Sequence, residues 1–353
     1  MTLEAIEALL EAVPLPTLLI GRSERILGAN QRAISLLGQN NMVGRHFITA
    51  IRQPTVLDSI EACLADGKTL QSRFLSSDGA QDTTYVVNCS YLDNAEWTGA
   101  LVCFEDVTQV EQVGQMRRDF VANVSHELRT PLTALLGFIE TLRGPAREDP
   151  ETTARFLEVM QTEASRMERL VKDLLSLSRV EAQERVRPKE NVDLLPLLMT
   201  VLDGIDPIAK EASVEVITDL PENSIVVPGD TDQLQQVFTN LLENAIKYGG
   251  GGKQVRLSLS GSVSHEALRV PCVSVTVEDQ GPGFDEAHLP RLTERFYRID
   301  THRSREVGGT GLGLAIVKHV INRHRGRLRI RSVPGEGSAF EVILPLHYGE
   351  GRA

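Results

Sequence analysis

The chain has 353 residues, 41% of them hydrophobic and 24% charged, with 28 Gly and 16 Pro; this is the composition of a folded protein of two or three domains and excludes a disordered or collagen-like chain. A net charge of −11 argues against a nucleic-acid-coating role. No run of about 18 consecutive apolar residues occurs, so no membrane-spanning helix is expected.

The N-terminus carries Glu4, Glu7 and Glu11 and no basic stretch, which is not the pattern of a secretory signal. Cys63, Cys89, Cys103 and Cys272 are widely spaced without a CxxC pair, which fits a reducing cytoplasm. Residues 1–108 mix short alternating apolar runs with turn chemistry. Ser77-Asp78-Gly79 reads as a hairpin turn before the alternating Tyr85, Val87 and Cys89, and a final strand starts at Trp97. Residues 28–66 read as short helices and loops, giving an α+β domain of sensor size.

The period then changes. Val107, Val110, Val113, Phe120, Val124, Leu128 and Leu132 recur every three or four positions, as on one face of a helix. Arg143-Gly144-Pro145 ends it, and Asp149-Pro150 starts another, with Asp as cap and Pro at the first helical position. Phe156, Met160, Met167, Leu170, Leu174 and Leu177 mark the second apolar stripe, and both stripes read as core. Two long helices in a hairpin bury too little alone, so pairing into a dimeric four-helix bundle is expected. Residues 188–348 alternate helices and strands, which predicts a mixed sheet with helices on one face. Weak linkers are expected near 105–115 and 183–192, the latter at the charged EAQERVRPKE.

Four segments carry chemistry. In FVANVSHELRTPL, His126 lies mid-helix beside Glu127, and Thr130 shares its face one turn on. Pro131 removes a backbone donor and crowds the carbonyl of Glu127. A neutral imidazole is nucleophilic near pH 7, and a neighbouring carboxylate can take its proton or fix its tautomer. In NLLENAIKY, Asn240, Asn244, Lys247 and Tyr248 share one helix face opposite Leu234, Phe238, Leu241 and Ala245. Amide oxygens suit Mg²⁺ and an ammonium suits phosphate, although an ordinary polar face reads the same way. In VEDQGPGF, Asp279 can accept from an amine such as that of adenine, and Gly281 and Gly283 allow a flat ligand to approach. In GGTGLGL, Gly308 to Gly313 open a helix whose free N–H groups suit phosphate, without a Walker A signature. Residues 291–331 hold 11 Lys/Arg against three acids, which favours a triphosphate beside these loops.

In this order the motifs resemble the sensor histidine kinases of two-component systems, over about residues 110–348, and most of all the phosphate-regulon type. FVANVSHELRTPL resembles the phosphoacceptor box, and NLLENAIKY, DQGPGF, ERFYRID and GGTGLGL resemble the N, G1, F and G2 boxes of the ATP-binding domain. The first 108 residues look more weakly like a PAS domain. The resemblance implies a multidomain α+β protein with three parts. These are a PAS-like sensor domain over 1–108, a dimerising phosphotransfer hairpin over 109–185, and an α/β sandwich over 190–348 shared with gyrase-type and chaperone-type ATPases. It implies His126 as phosphoacceptor and Glu127 as its base. Asn244 would ligate Mg²⁺ with Asn240, and Lys247 and Tyr248 would contact phosphates. Asp279 with Gly281 and Gly283 would take adenine, and Arg298 would reach the γ-phosphate. Gly309, Thr310, Gly311, Leu312 and Gly313 would close over ATP. Glu127 and Thr130 would form the pair that positions water to dephosphorylate the partner. The gyrase-like relatives carry a glutamate base where Asn240 stands, and an amide cannot take a proton from water, so ATP hydrolysis should be slow.

The expected function is autophosphorylation of His126 from ATP, transfer to an aspartate of a response regulator, and dephosphorylation of that regulator. The partners are the regulator and a second copy of the chain, with no nucleic acid. A cytoplasmic protein without a membrane span also leaves room for a membrane-protein partner. Two alternatives stand beside this: a catalytically silent dimeric ATP-binding scaffold, and a predominantly phosphatase module. Loss of His126, Asn244 or Asp279 would favour the scaffold, and all three are present.

Overall fold

A computed structural model describes residues 3–77, 82–94, 97–144, 149–184, 186–249, 254–264, 268, 270–299 and 309–347. Its contacts divide into two units, Met1–Ala122 and Asn123–Ala353. In the first, helix α1 (Leu3–Glu11) precedes strands β1 (Thr17–Gly21) and β2 (Ile26–Ala29). Helices α2 (Gln31–Leu37) and α3 (Pro54–Asp66) follow, then β3 (Leu70–Ser77), β4 (Asp82–Asn94) and β5 (Trp97–Asp106). The strands form one antiparallel sheet in the order β2-β1-β5-β4-β3. Period-2 alternation puts Val87, Cys89, Ala100, Val102 and Phe104 against Ile60 and Cys63 of α3.

Asn30 organises the entrance to this core. Buried, it accepts the N–H groups of Thr17 and Ala33 and donates to the carbonyls of Leu10 and Leu15. One side chain thereby caps α2 and ties α1 to the sheet. All four cysteines are free thiols, and burial pushes Cys89 up to about 12, so it is chemically inert at neutral pH. The residues 78 and 79 of the expected hairpin turn lie outside the described residues, between the paired β3 and β4.

Helix α4 (Thr108–Arg143) begins two residues after β5 ends. The linker expected at 105–115 is therefore absent. Asp106 accepts the Thr108 N–H, and Thr108 accepts the Thr84 N–H, so sheet runs into helix through a built junction. The boundary between the two units falls inside α4. Pro131 lies within the helix without ending it. Pro145 lies outside the described residues, and helix α5 (Pro150–Gln183) starts at Asp149, which caps the N–H groups of Glu151 and Thr152.

The apolar stripe of α4 is not core within one chain. Val110 is 74% exposed and Val113 65%, and Leu132, Leu136, Leu157 and Leu175 also face outward. Leu170, Leu177 and Val180 of α5 are buried, and Phe138 meets Phe156 across the hairpin at 5.1 Å between ring centroids. Two helices have only one mutual seam, so the remaining apolar surface stays open in a single copy.

The rest of the second unit holds β6 (Glu190–Asp193), α6 (Leu194–Glu211), β7 (Glu215–Asp219), β8 (Val226–Gly229), α7 (Thr231–Gly249), β9 (Gln254–Ser264), β10 (Pro271–Asp279), α8 (Gly313–Arg323), β11 (Arg327–Val333) and β12 (Gly337–Pro345). The sheet order is β11-β12-β10-β9-β7, antiparallel except for the parallel β7–β9 pair. The small β6–β8 pair stands apart. Helix α7 buries Leu234, Val237, Phe238, Leu241, Leu242, Ala245 and Ile246 and contacts β9, β10, α6 and α8. That leaves its polar face turned toward the loops after β10 and before α8.

Candidate functional site

One end of the site is built around Asp279, the last residue of β10. Its Oδ1 accepts the Gly281 N–H at 2.8 Å, and its Oδ2 accepts the Ser338 hydroxyl of β12. Each carboxylate oxygen keeps a second acceptor position, as an exocyclic amine requires. The surroundings are close. A Cβ on Gly281 would lie 2.6 Å from Asp279 Oδ1 and 2.7 Å from the carbonyl oxygen of Tyr248, so glycine is required there.

The other end is built by α7 and the glycine-rich segment. Asn240, Asn244, Lys247 and Tyr248 are all half-buried on one face. Asn240 donates to the carbonyl of Gly313 at 3.4 Å, which leaves its amide oxygen free. Lys247 is paired with Glu243 at 2.5 Å. Among the described residues no group of three or more His, Cys, Asp or Glu could hold a metal. The donor set nevertheless fits Mg²⁺, a hard cation that takes few protein oxygens and keeps phosphate and water ligands. The amide oxygens of Asn240 and Asn244 would be those protein ligands.

Gly309 and Thr310 are described, and Gly308 is not. Gly311 has φ +73°, and a Cβ there would lie 2.9 Å from Phe296 Cα and 3.3 Å from Arg298 Nε. Its carbonyl receives the Phe296 N–H at 2.8 Å. Thr310 donates to Asp173 of α5 at 2.7 Å and accepts the N–H of the buried Leu312, the cap residue of α8. Burial raises the Asp173 carboxyl above the ordinary carboxylate range; Thr310, Arg169 and Lys247 oppose that shift, and Glu243 adds to it.

His126 is exposed on α4, and the Thr130 hydroxyl donates to its backbone carbonyl at 3.2 Å. Glu127 beside it is engaged twice. Its Oε2 accepts Arg298 Nη2 at 3.1 Å and Arg166 Nη2 at 3.4 Å. The Arg298 side chain is only 6% exposed and that of Glu127 17%, and the Nε of Arg298 is buried with no acceptor. The structure thus brings Glu127, Arg298, Gly311, Thr310 and Asp173 into one continuous set of contacts. It leaves the His126 imidazole facing solvent.

The basic segment is distributed differently from the expectation. Arg291, Arg295, Arg298, Arg323 and Arg329 pair with Glu294, Glu181, Glu127, Asp230 and Glu341. Arg327, Arg329 and Arg331 alternate on the exposed face of β11, away from the helices. Arg298 touches the glycine-rich segment, and residues 300–308, with Arg303 and Arg305, lie outside the described residues. Sequence reasoning passed over Arg166, Asp173 and Ser338. The available signal for the first two was polarity within a stripe: Arg166 and Asp173 interrupt Met167, Leu170, Leu174 and Leu177 on α5.

Residues 116–183 match the His Kinase A (phospho-acceptor) domain, and residues 229–348 match the histidine kinase-, DNA gyrase B- and HSP90-like ATPase domain. The sensor protein kinase WalK of Staphylococcus aureus is 33% identical over 335 residues, covering 92% of this chain and 76% of that one. The chain belongs to the sensor histidine kinases. Within them, the phosphate regulon sensor protein PhoR of Pseudomonas aeruginosa is 42% identical over 240 residues, 68% of this chain. This sensor histidine kinase spans about half the length of that relative, 52%. Its fold is similar to that of the histidine kinase ThkA, solved in complex with the response regulator protein TrrA. That match has a TM-score of 0.52 and 21% identity, covering 96% of this chain and 98% of the other. No described helix is long and apolar enough to cross a membrane.

Proposed function

We propose that the chain transfers the γ-phosphoryl group of ATP to His126 and then to an aspartate of a response regulator. The observation that carries this reading is the Glu127–Arg298 hydrogen bond. It joins the residue beside the phosphoacceptor to the arginine packed against the glycine-rich segment. In the reaction the lone-pair nitrogen of His126 attacks phosphorus, a P–N bond forms, the bond to the β-phosphate oxygen breaks, and ADP leaves. The proton on the other ring nitrogen passes to Glu127. Arg298 offsets charge on the transferring group, the dominant kind of assistance in such transfers. For that, both Arg298 and Glu127 must leave their present pairing. Mg²⁺ on Asn240 and Asn244 would supply further charge neutralisation. Asp279, Gly281 and Gly283 would seat adenine, Lys247 and Tyr248 would meet phosphates, and Gly309 to Gly313 would close over them.

The open stripes of α4 and α5 support a homodimer built through the hairpin, with a sensor part over 1–108, a phosphotransfer part over 109–185 and an ATP-binding part over 190–348. Thr130, one turn from His126, supports a phosphatase activity on the regulator in the same protein. A cytoplasmic site of action, with a membrane protein as an upstream partner, fits the same reading. The test is incubation with radiolabelled ATP and Mg²⁺ beside His126→Gln. Acid-labile, alkali-stable label in the wild type alone is the expected result. Absence of label with nucleotide binding intact would overturn the kinase reading, and label in both proteins would overturn the assignment of His126.

A further inference from the structure

We propose that Asp173 of α5 is a positioning residue for this reaction: it holds Thr310, and through Thr310 the amide end of α8, in the place where the phosphates of ATP arrive. The inference rests on the kinase reading and adds to it a residue from the helical hairpin.

Thr310 uses its hydroxyl in both directions. It donates to Asp173 Oδ2 at 2.7 Å and accepts the Leu312 N–H at 3.3 Å. Leu312 is the cap residue of α8 and offers no side-chain acceptor of its own. Thr310 therefore satisfies one of the orphan N–H groups at the start of that helix, and Asp173 fixes the direction of the hydroxyl that does so. A carboxylate on this chain also places negative charge near the positive end of α8 at one remove.

The tie is not isolated. One turn further along α5, the Ser176 hydroxyl donates to Gln236 of α7 at 2.6 Å. Helix α5 thus grips both elements that form the phosphate end: α7 through Ser176, and the glycine-rich segment through Asp173. The setting of Asp173 is half-buried among Arg169, Lys247 and Glu243. A water molecule there would not replace the carboxylate at equal strength, because a hydrogen bond to a charged acceptor is the stronger kind. Movement of α5 would withdraw the acceptor from Thr310, loosen the start of α8 and leave the adenine end around Asp279 untouched. Nucleotide affinity and phosphoryl transfer then become separable.

The experiment compares full-length wild type, Asp173→Ala, Asp173→Asn, Thr310→Val and the Asp173→Ala/Thr310→Val pair. Three quantities are read: the dissociation constant of ATP by competition with a fluorescent analogue, the single-turnover rate of His126 labelling, and amide hydrogen exchange of residues 309–316 with ADP bound. For Asp173→Ala the expected results are ATP affinity within about threefold of wild type, labelling slower by about tenfold or more, and faster exchange at the start of α8. Asp173→Asn keeps an acceptor oxygen and should recover most of the rate. The double variant should be no slower than Thr310→Val alone, because both substitutions remove one interaction. The proposal is overturned if exchange at 309–316 is unchanged in Asp173→Ala, or if the two losses multiply in the double variant. A wild type that never labels His126 would instead refute the kinase reading, and the exchange measurement would still decide the Asp173–Thr310 tie.

Discussion

The two ends of the proposed nucleotide site are built on different principles. The end proposed for adenine belongs to the sheet: Asp279 is held by Gly281 of its own turn and by Ser338 of the neighbouring strand. At the end proposed for the phosphates, Arg298, Thr310 and Lys247 are each held by a carboxylate, and two of the three carboxylates come from the helical hairpin. Arg298 is given to Glu127 of α4, Thr310 to Asp173 of α5, and Lys247 to Glu243 of its own helix. On the proposed reading, the base would meet an Asp279 already held in place. On the same reading, Arg298 and Lys247 would exchange their carboxylates for phosphate oxygens, while Thr310 stays on Asp173. If the proposed roles hold, the hairpin sets phosphoryl transfer by how firmly it keeps its side chains on the phosphate end, while affinity for the base stays constant.

The largest effect should come from breaking the adenine end. Gly281→Ala would place a methyl group 2.6 Å from Asp279 Oδ1 and 2.7 Å from the Tyr248 carbonyl. Neither the strand end nor the helix end can yield easily, so nucleotide binding should fall by about a hundredfold or more, at a stability loss of about 1–3 kcal/mol. Calorimetric titration with ADP, which lacks the γ-phosphate, checks this. Retained ADP affinity would show that Asp279 does not seat the base.

The next effect separates the two ends by charge. Glu127→Gln keeps the shape of the side chain and removes the charge that holds Arg298. The charge-assisted part of such a bond is worth about 1 kcal/mol in a largely desolvated pair. ATP should therefore bind about fivefold tighter, ADP affinity should stay constant, and the labelling rate should fall because the base is lost. Arg298→Ala should lower labelling by about a hundredfold with little change in ADP affinity. Equal shifts for ATP and ADP in Glu127→Gln would contradict the exchange of Arg298 between Glu127 and phosphate.

How far the sequence disclosed this arrangement follows from the range of the interactions. The helices of the hairpin, the Asp149 cap and the polar face of α7 were legible because they are periodic or local. The segment around Asp106–Thr108 reads as a linker from the sequence. In the structure Asp106 accepts the Thr108 N–H, and the Thr108 hydroxyl accepts the Thr84 N–H of β4, 24 residues away. The stripe of α4 was visible, but a stripe carries no information on whether its cover is the same chain or another copy. The basic count over 291–331 suggested a phosphate site. The strand alternation of β11 instead turns three of those arginines outward, and ion pairs engage five in all, four of them with partners at least 12 residues away. Asp173 and Arg166 meet partners more than 35 residues away, and no local pattern encodes such a meeting.

A smaller effect tests the phosphate end by pH. Burial raises the Asp173 carboxyl above its ordinary range, so between its unfolded and folded values the folded chain holds a proton that the unfolded chain has released. Its contribution to stability is fully present below the ordinary aspartate value of about 3.9 and is lost as pH rises through the raised value. Asp173→Asn has no such group. Its melting temperature relative to wild type should therefore rise as pH increases through the mildly acidic range. A constant difference across that range would show that burial of this carboxylate costs the fold nothing.

The smallest effect belongs to the frame that carries both ends. His324, at the C-terminal end of α8, is buried, with Nδ1 at 2.8 Å from the Val320 carbonyl and Nε2 at 3.0 Å from the Asp230 N–H. The first contact requires a donor and the second an acceptor, so the ring is neutral with its proton on Nδ1. Burial is the main cause that lowers its pKa, and Arg323 adds to the shift, against the Val320 bond and Asp230. The sign is opposite to that of Asp173. The unfolded chain takes up a proton that the folded chain refuses, so stability is lost as pH falls below about 6.5, the ordinary imidazole value. Protonation would also turn Nε2 into a donor facing the Asp230 N–H, disturbing the turn that leads into α7. His324→Gln should therefore lower stability at pH 8 but flatten the decline between pH 7 and pH 5, as followed by thermal melts of the full chain. An unaltered slope would assign the decline to other groups. A decline in ATP and ADP affinity together over the same interval would show that this frame supports both ends, and a decline in ATP alone would place the acid sensitivity at the hairpin contacts instead.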